Sequence, residues 1–187
     1  AKGTKWYAFV VNDAPTSWFN NAPYLDIMDR ETVATFIRIT HERYKETVGD
    51  LFDTTVPAIF SDEPNVQESE SHSIPDPQFV GDIVIGWSRY FEEAYEKAYG
   101  ESLLDRLPEL FWLKRDSSDR LTKYRFFDLR AALFSENYCG QIAAWCEKNG
   151  ISSTGHLLNE RNLAGQTMSC GEVMRSYGRF TIPGIDM

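Results

Sequence analysis

The stretch VPAIFSDEP, residues 56–64, decides the predicted fold. Its first five residues are apolar, include β-branched and aromatic side chains, and predict a short buried strand. The run stops at Ser61-Asp62-Glu63-Pro64, where polar side chains and a proline end it. A nearly continuous apolar strand is typical of a parallel sheet that helices cover on both faces. The stretch therefore predicts one strand of an α/β fold, with carboxylates at its C-terminal end.

Strands alternate with helices on both sides of this stretch. We predict further strands over Lys5–Val11, Ile151–Leu158 and Thr181–Met187, each an apolar run that ends in polar residues. Helical spacing of apolar residues predicts helices between the strands, over residues 30–48, 79–99, 103–112, 120–148 and part of 163–179. Strands that alternate with helices imply parallel pairing through right-handed crossovers. The expected fold class is α/β.

Amide and carboxylate side chains follow every predicted strand. Because the C-terminal ends of parallel strands share one edge, α/β folds build their sites there. No glycine-rich phosphate loop follows any of these strands, which removes the usual reason to expect a nucleotide-binding sheet. We therefore expect one site, in a barrel-like arrangement, formed by Asn12-Asp13, Asp62-Glu63, Asn159-Glu160 and Asp186.

The composition limits the partners that the protein can bind. The 187 residues carry a formal net charge of −9, and no run of Lys or Arg forms the basic patch that nucleic acid or an anionic membrane would require. No stretch approaches the about 18 uncharged apolar residues of a membrane-spanning helix. An acidic chain with 14% aromatic residues suits a neutral ligand such as a carbohydrate, although simple solubility explains the charge equally well. We expect a carbohydrate partner, no nucleic acid and no membrane.

The cysteine and histidine spacings predict neither a metal centre nor a disulfide framework. Cys139 and Cys146 lie about 10 Å apart along a predicted helix, too far for a disulfide, and no zinc spacing is present. His41-Glu42 lacks the second histidine of a zinc-binding helix motif and is expected on an exposed helix face. Free buried thiols, including Cys170, favour a reducing compartment, but the compartment itself stays open. We expect no cofactor.

Glu63 is the candidate catalytic acid. Hydrolysis of a glycosidic bond needs one carboxylic acid that protonates the leaving oxygen and a second carboxylate for the water or the anomeric carbon. Glu63 follows a buried strand, Pro64 fixes the turn after it, and the neighbouring charge of Asp62 together with partial burial disfavours an ionised carboxyl. An exposed turn residue or a helix cap is the alternative interpretation of Glu63.

Further residues at the same edge are candidates for binding the sugar. Thr154 and His156 are two residues apart and share one side of their strand, and Glu160 follows directly after it. A hydrogen-bonded core histidine is the alternative for His156, and an ion pair with Arg161 or Arg175 is the alternative for Glu160. We expect the sugar to contact Asp62, His156, Glu160, Asp186 and Asn12, with Trp18, Phe19 or Tyr24 as a stacking surface.

The motif Ser61-Asp62-Glu63-Pro64 resembles the large clan of (β/α)-barrel glycoside hydrolases, whose fourth strand commonly ends in Asn-Glu-Pro with the Glu as acid/base. Asp62 replaces the Asn, so the usual contact of that Asn with a sugar hydroxyl does not carry over directly. Other segments look like bacterial barrel glycosidases related to the α-L-rhamnosidases and the β-galactosidase-type families: Tyr24-Leu25-Asp26, Trp145-Cys146-Glu147, Thr154-Gly155-His156 and Pro183-Gly184-Ile185-Asp186.

The resemblance covers residues 5–187 and implies a partial (β/α)8 TIM barrel. The chain would supply about strands three to six, with Glu63 as proton donor and Glu160 as a strand-five residue that touches substrate or holds a metal. The second catalytic carboxylate of the clan usually ends strand seven, which would lie beyond Met187. A complete barrel typically needs about 250 residues. We therefore expect residues 1–187 to be a single domain, a fragment of a catalytic barrel whose partner is the remainder of that domain.

Two other functions fit the same residues. A metal-dependent barrel hydrolase or isomerase would use Asp62, Glu63, Glu160 and His156 as a carboxylate-rich cation site. A non-catalytic sugar-binding barrel would use them for contact alone. The identity of the sugar, its anomeric configuration, and retention or inversion stay open at this point.

Overall fold

A three-stranded parallel sheet forms the centre of the computed structural model, which describes residues 8–11, 15, 17–66, 85–111 and 119–186. The strands lie side by side in the order β1 (Ala58–Asp62), β2 (Ser152–His156) and β3 (Ile182–Pro183). β1 pairs with β2 along its whole length, and β3 pairs with β2 at two positions. The parallel pairing agrees with the predicted α/β class.

The strand bounds differ from those predicted. β1 extends past Phe60, since Ser61 and Asp62 pair with Gly155 and His156. Ladder hydrogen bonds use backbone groups, so polar side chains do not end a strand that has a neighbour. The strand predicted over Thr181–Met187 is shortened to β3.

The first predicted strand, Lys5–Val11, is wrong at residues 8–11, which are exposed and adopt no strand; residues 1–7 lie outside the described part. An apolar run becomes a strand only where a neighbouring backbone satisfies its polar groups. No described strand pairs with residues 8–11.

Helices connect the strands and cover one face of the sheet. Short 3₁₀ turns lie at Ser17–Phe19, Gly49–Leu51 and Leu104–Arg106. The long helix predicted over residues 120–148 is continuous, with a π-helical segment at Ser135–Gly140 in its middle. The α-helices are α1 (Arg30–Val48), α2 (Phe91–Tyr99), α3 (Pro108–Phe111), α4 (Asp119–Phe134), α5 (Gln141–Lys148), α6 (Leu163–Ser169) and α7 (Val173–Tyr177).

Helix α2 begins later than the periodicity predicts. The prediction begins at residue 79, whereas residues 85–88 form no regular secondary structure and α2 starts at Phe91. Gly86, ahead of the helix, packs closely against Val66, since a Cβ added there would lie 2.7 Å from the Val66 carbonyl oxygen.

The hydrophobic core lies on one side of the sheet. Helix α5 packs on β2, and α1 packs on both α5 and the π-helical segment. Side chains that point towards these helices are buried, as at Ser61 and Ser153, whereas Phe60 on the other face keeps 58% of its surface exposed. The described residues form no closed barrel. They form a small parallel sheet with helices, which is compatible with part of an α/β fold.

His41 is buried, which corrects the exposed helix face predicted for it. Only 4% of its surface is exposed, and its ring makes edge contacts with Phe36 and Trp145 at 5.4 and 5.2 Å between centroids. The neighbouring Glu42 accepts a hydrogen bond from the indole of Trp145 at 2.7 Å. The pair therefore fastens α1 to α5.

None of the helices within the described ranges combines the length and the apolar character that crossing a membrane requires.

Candidate active site at the C-terminal edge of the sheet

Glu63 stands directly after β1 with a left-handed backbone, at a φ of 46°. Few non-glycine residues adopt this conformation, and they concentrate at turns and functional sites. The side-chain amide of Asn65 donates a hydrogen bond of 3.0 Å to the Glu63 carbonyl oxygen. Pro64, between them, is fully buried. The turn that carries Glu63 is therefore a defined structure, not an open loop.

Asp62 and His156 form a pair across the neighbouring strands. The His156 Nε2 atom lies 3.0 Å from Asp62 Oδ1, and the His156 ring makes an edge contact with Phe60 at 5.5 Å between centroids. The Asp62 side chain is 77% exposed and that of His156 is 15% exposed. The Nδ1 atom of His156 is buried, with no hydrogen-bond partner among the described residues. The pair thus spans the boundary between the interior and the open edge.

Three side chains converge beyond this pair. One side-chain atom that could bind a metal, a carboxylate oxygen or an imidazole nitrogen, comes from each of Glu63, His156 and Asp186. These three atoms lie within 4.8 Å of one another. Glu160 joins them, because its Oε1 atom accepts a 2.6 Å hydrogen bond from the backbone N–H of Asp186. Its other oxygen, Oε2, is buried, and no described group donates to it. The ends of all three strands thus contribute to one carboxylate-rich cluster, made of Asp62, Glu63, His156, Glu160 and Asp186.

The alternative ion pairs of Glu160 are not formed. Arg175 instead binds Asp128 at 2.9 Å, and Arg161 makes no described ion pair with Glu160. The arrangement leaves the Glu160 carboxylate within the cluster.

The predicted stacking residues have different surroundings. The ring of Tyr24 is half-buried against Phe19, at 4.7 Å between centroids, and its hydroxyl accepts a 3.3 Å hydrogen bond from the Asn65 N–H. Burial raises the pKa of Tyr24, and the bond with Asn65 partly offsets the shift. Asn12 and the side chain of Trp18 lie outside the described residues.

Helix α6 ties two of the site loops together, which the sequence did not reveal. The Ser169 carbonyl accepts from the Val66 N–H at 2.8 Å, and the Ser169 hydroxyl accepts from the Asn159 side chain at 2.8 Å. The Gln166 side chain donates to the Glu160 carbonyl at 2.7 Å. One local signal was available: Asn tolerates left-handed backbone, and Asn159 has a φ of 58° immediately before Glu160.

The Tyr138 hydroxyl packs against β1 from the core side. Burial raises the pKa of Tyr138 to about 12, and its hydrogen bond with Ser61 on β1 partly offsets the shift. A neutral phenol can hold the buried side of β1 without adding charge beneath the acidic cluster.

Comparison with known proteins gives a likeness of fold. Neither a protein-family model nor a curated protein matches the sequence. The structure is similar to part of a rhamnosidase from Novosphingobium sp. PP1Y, with a TM-score of 0.60 and 19% sequence identity. The match covers 85% of this chain, which spans 14% of that rhamnosidase. The chain has a fold distantly similar to part of a glycosidase.

Proposed function

We propose that this chain supplies the proton-donor side of a glycoside hydrolase active site, with Glu63 as the general acid. The observation that carries the proposal is the position of Glu63, on a left-handed turn after β1 and within 4.8 Å of His156 and Asp186. The similarity in fold to part of a rhamnosidase also supports a glycoside hydrolase. Fold alone does not decide function, so the proposal depends on these side chains.

The proposed reaction is cleavage of an O-glycosidic bond. The Glu63 carboxyl transfers its proton to the leaving oxygen as the bond between that oxygen and the anomeric carbon breaks. The sugar contacts the polar side chains of the edge, and the stacking residues cover one face of its ring. We assign these contacts to Asp62, His156, Glu160, Asp186, Asn12, Tyr24 and Trp18.

The second catalytic carboxylate decides the stereochemical course. A separation of about 5–5.5 Å between the two carboxyl groups gives retention, and one of about 6.5–9.5 Å gives inversion. We propose that this group comes from the remainder of a (β/α)8 catalytic domain of which residues 1–187 are a single-domain fragment, covering about strands three to six. Rhamnosides are the first substrates to test, since the similar solved structure is a rhamnosidase.

Replacement of Glu63 by Gln tests the proposal in the full-length protein. Glu63→Gln keeps the size of the side chain but removes the transferable proton. General acid catalysis contributes about 10²–10⁴-fold, so kcat on methyl rhamnoside should fall by about that factor. p-Nitrophenyl rhamnoside has a good leaving group that needs little protonation, so the loss on it should be far smaller. The matched control Glu160→Gln should lose activity equally on both substrates, because its proposed role is contact.

Two results would contradict this function. If Glu63→Gln keeps the kcat/KM of the wild type on methyl rhamnoside, Glu63 is not the acid. Equal losses on the two substrates would assign Glu63 to binding or to structure.

A cation site is the second candidate function, and one observation favours it. Glu63, His156 and Asp186 present donor atoms at mutual distances that suit a shared ion, and the buried Oε2 of Glu160 adjoins them through Asp186. Carboxylate oxygens suit Ca²⁺, Mg²⁺ or Mn²⁺, and an imidazole broadens the choice to Zn²⁺. Calorimetric titration with each ion would show which ion binds. An activity assay would then test the function, because a metal-dependent hydrolase or isomerase should lose activity on chelation and regain it when the ion is added back. If the wild type and Glu63→Gln bind the sugar equally well and neither hydrolyses it, the protein is a non-catalytic sugar-binding barrel.

A further inference from the structure

We propose that Tyr24 and Asn65 are positioning residues, which hold the carboxyl of Glu63 in place by fixing the backbone of its turn. The inference rests on the proposed role of Glu63 as the acid. It assigns to the Tyr24 hydroxyl a task in addition to the proposed contact of the Tyr24 ring with the sugar.

The backbone at Glu63 needs external support. A φ of 46° is costly for a side chain with a Cβ, and the next residue is Pro64. A residue that precedes proline favours extended backbone, because the proline ring clashes with it in other conformations. Such a conformation persists only where the surroundings over-determine it. The groups that hold this turn therefore decide where the Glu63 carboxyl points.

Asn65 and Tyr24 supply that support as a relay. The Asn65 side chain donates to the Glu63 carbonyl at 3.0 Å, and the Asn65 N–H donates to the Tyr24 hydroxyl at 3.3 Å. Asn65 is buried, with 9% of its surface exposed. Directly after it, the Val66 N–H donates to the Ser169 carbonyl at 2.8 Å. The turn is thus fastened to two distant parts of the chain.

The direction of the Tyr24 hydroxyl is fixed by packing. Its ring lies against Phe19 at 4.7 Å between centroids. Burial raises the pKa of Tyr24, and its hydroxyl oxygen accepts the hydrogen bond from the Asn65 N–H. A Phe at this position would keep the ring contact but remove the hydroxyl oxygen that accepts from the Asn65 N–H.

The experiment compares Tyr24→Phe with a control that loses a hydroxyl elsewhere. The Tyr99 hydroxyl bonds to the Arg125 carbonyl and to the Asp128 carboxylate, both at 3.2 Å, and Tyr99→Phe is the matched control. A misplacement of about 1 Å can cost about 10²-fold in rate, so Tyr24→Phe should lower kcat on methyl rhamnoside by about ten- to a hundredfold. Its KM should stay within about threefold, because misplacement of the acid costs transition-state and not ground-state binding. The activity of Tyr24→Phe on p-nitrophenyl rhamnoside should fall far less. Tyr99→Phe should match the wild type on both substrates. Asn65→Ala should show the same pattern of losses as Tyr24→Phe.

A double mutant provides the decisive readout. If Tyr24 acts only through the Glu63 carboxyl, Tyr24→Phe should cause no further loss of kcat in the Glu63→Gln background, because residues that act as a unit are not additive. Additive losses, equal losses on the two substrates, or a raised KM at constant kcat would each overturn the inference while leaving Glu63 as the acid. Failure of Glu63→Gln to show leaving-group dependence would overturn the proposed function itself, and this inference with it.

Discussion

His156 Nε2 lies 3.0 Å from Asp62 Oδ1, and the two residues are direct neighbours in the register of the parallel strands β1 and β2. Residues paired in this way project to the same face of the sheet. Asp62 immediately precedes Glu63, so the contact links the strand that positions the proposed acid to the strand that leads to Glu160. The geometry of the site therefore depends on the β1–β2 register.

Asp62→Asn should affect binding more than stability. The Asp62 carboxylate is 77% exposed, and a contact of an exposed carboxylate contributes about 0–1 kcal/mol, so the free energy of unfolding should fall by no more than that. Because we propose that Asp62 contacts the sugar, KM should rise. Urea unfolding and steady-state kinetics measure the two effects. Asp128→Asn is the control, since it weakens the pair with Arg175, neither of whose members belongs to the cluster, and should leave KM unchanged. A loss of stability above about 2 kcal/mol in Asp62→Asn would give the pair a structural role instead.

Gly155→Ala should disrupt the β1–β2 register. A Cβ at this position would overlap the carbonyl oxygen of Ser61 on β1, which cannot move without breaking the ladder. We expect a loss of about 3 kcal/mol or more in urea unfolding, the upper end of what overpacking costs. Gly150→Ala is the control, because Gly150 has a φ of 67° but open space around it, and only the backbone cost of about 1–2 kcal/mol should appear. Equal losses in the two variants would show that close strand approach is not what requires glycine at Gly155.

His41 should make the protein less stable in mild acid. Burial lowers the pKa of His41, and the charge of Glu42 offsets the shift only in part. The folded protein therefore favours the neutral ring, whereas the unfolded chain takes up a proton below about pH 6.5. Stability contributed by the neutral ring is present above that pH and is lost as the pH falls towards the folded pKa, at up to about 1.4 kcal/mol per pH unit.

The test of His41 compares how steeply the free energy of unfolding changes with pH in two proteins, and not their absolute stabilities. His41→Phe keeps an aromatic ring between Phe36 and Trp145 but cannot bind a proton. Free energies of unfolding measured between pH 5 and 7 should depend less on pH in His41→Phe than in wild type. Identical slopes would contradict an unprotonated buried His41 in the folded protein.

Several elements could be read from local sequence alone. Asp29 begins α1 as an N-cap, its carboxylate accepting from the Glu31 N–H at 3.0 Å, because capping chemistry involves only nearby residues. The parallel sheet follows from the apolar runs of β1 and β2. The prediction of a strand at residues 8–11 was wrong because a strand needs a neighbouring backbone, and local sequence does not show whether one is present.

Local sequence was enough to predict the α/β class, the polar and acidic character of the edge, and Glu63 as the candidate acid. These depend on hydrophobic periodicity and on residue types next to strand ends, which are local properties. The packing of the folded chain brings one side-chain atom each of Glu63, His156 and Asp186 within 4.8 Å of the other two, and lets Glu160 accept from the Asp186 N–H. It also brings Tyr24 to Asn65 across 41 residues of sequence. Such contacts follow from strand register and helix packing, where distant parts of the chain compete for the same space, and no local pattern encodes the outcome.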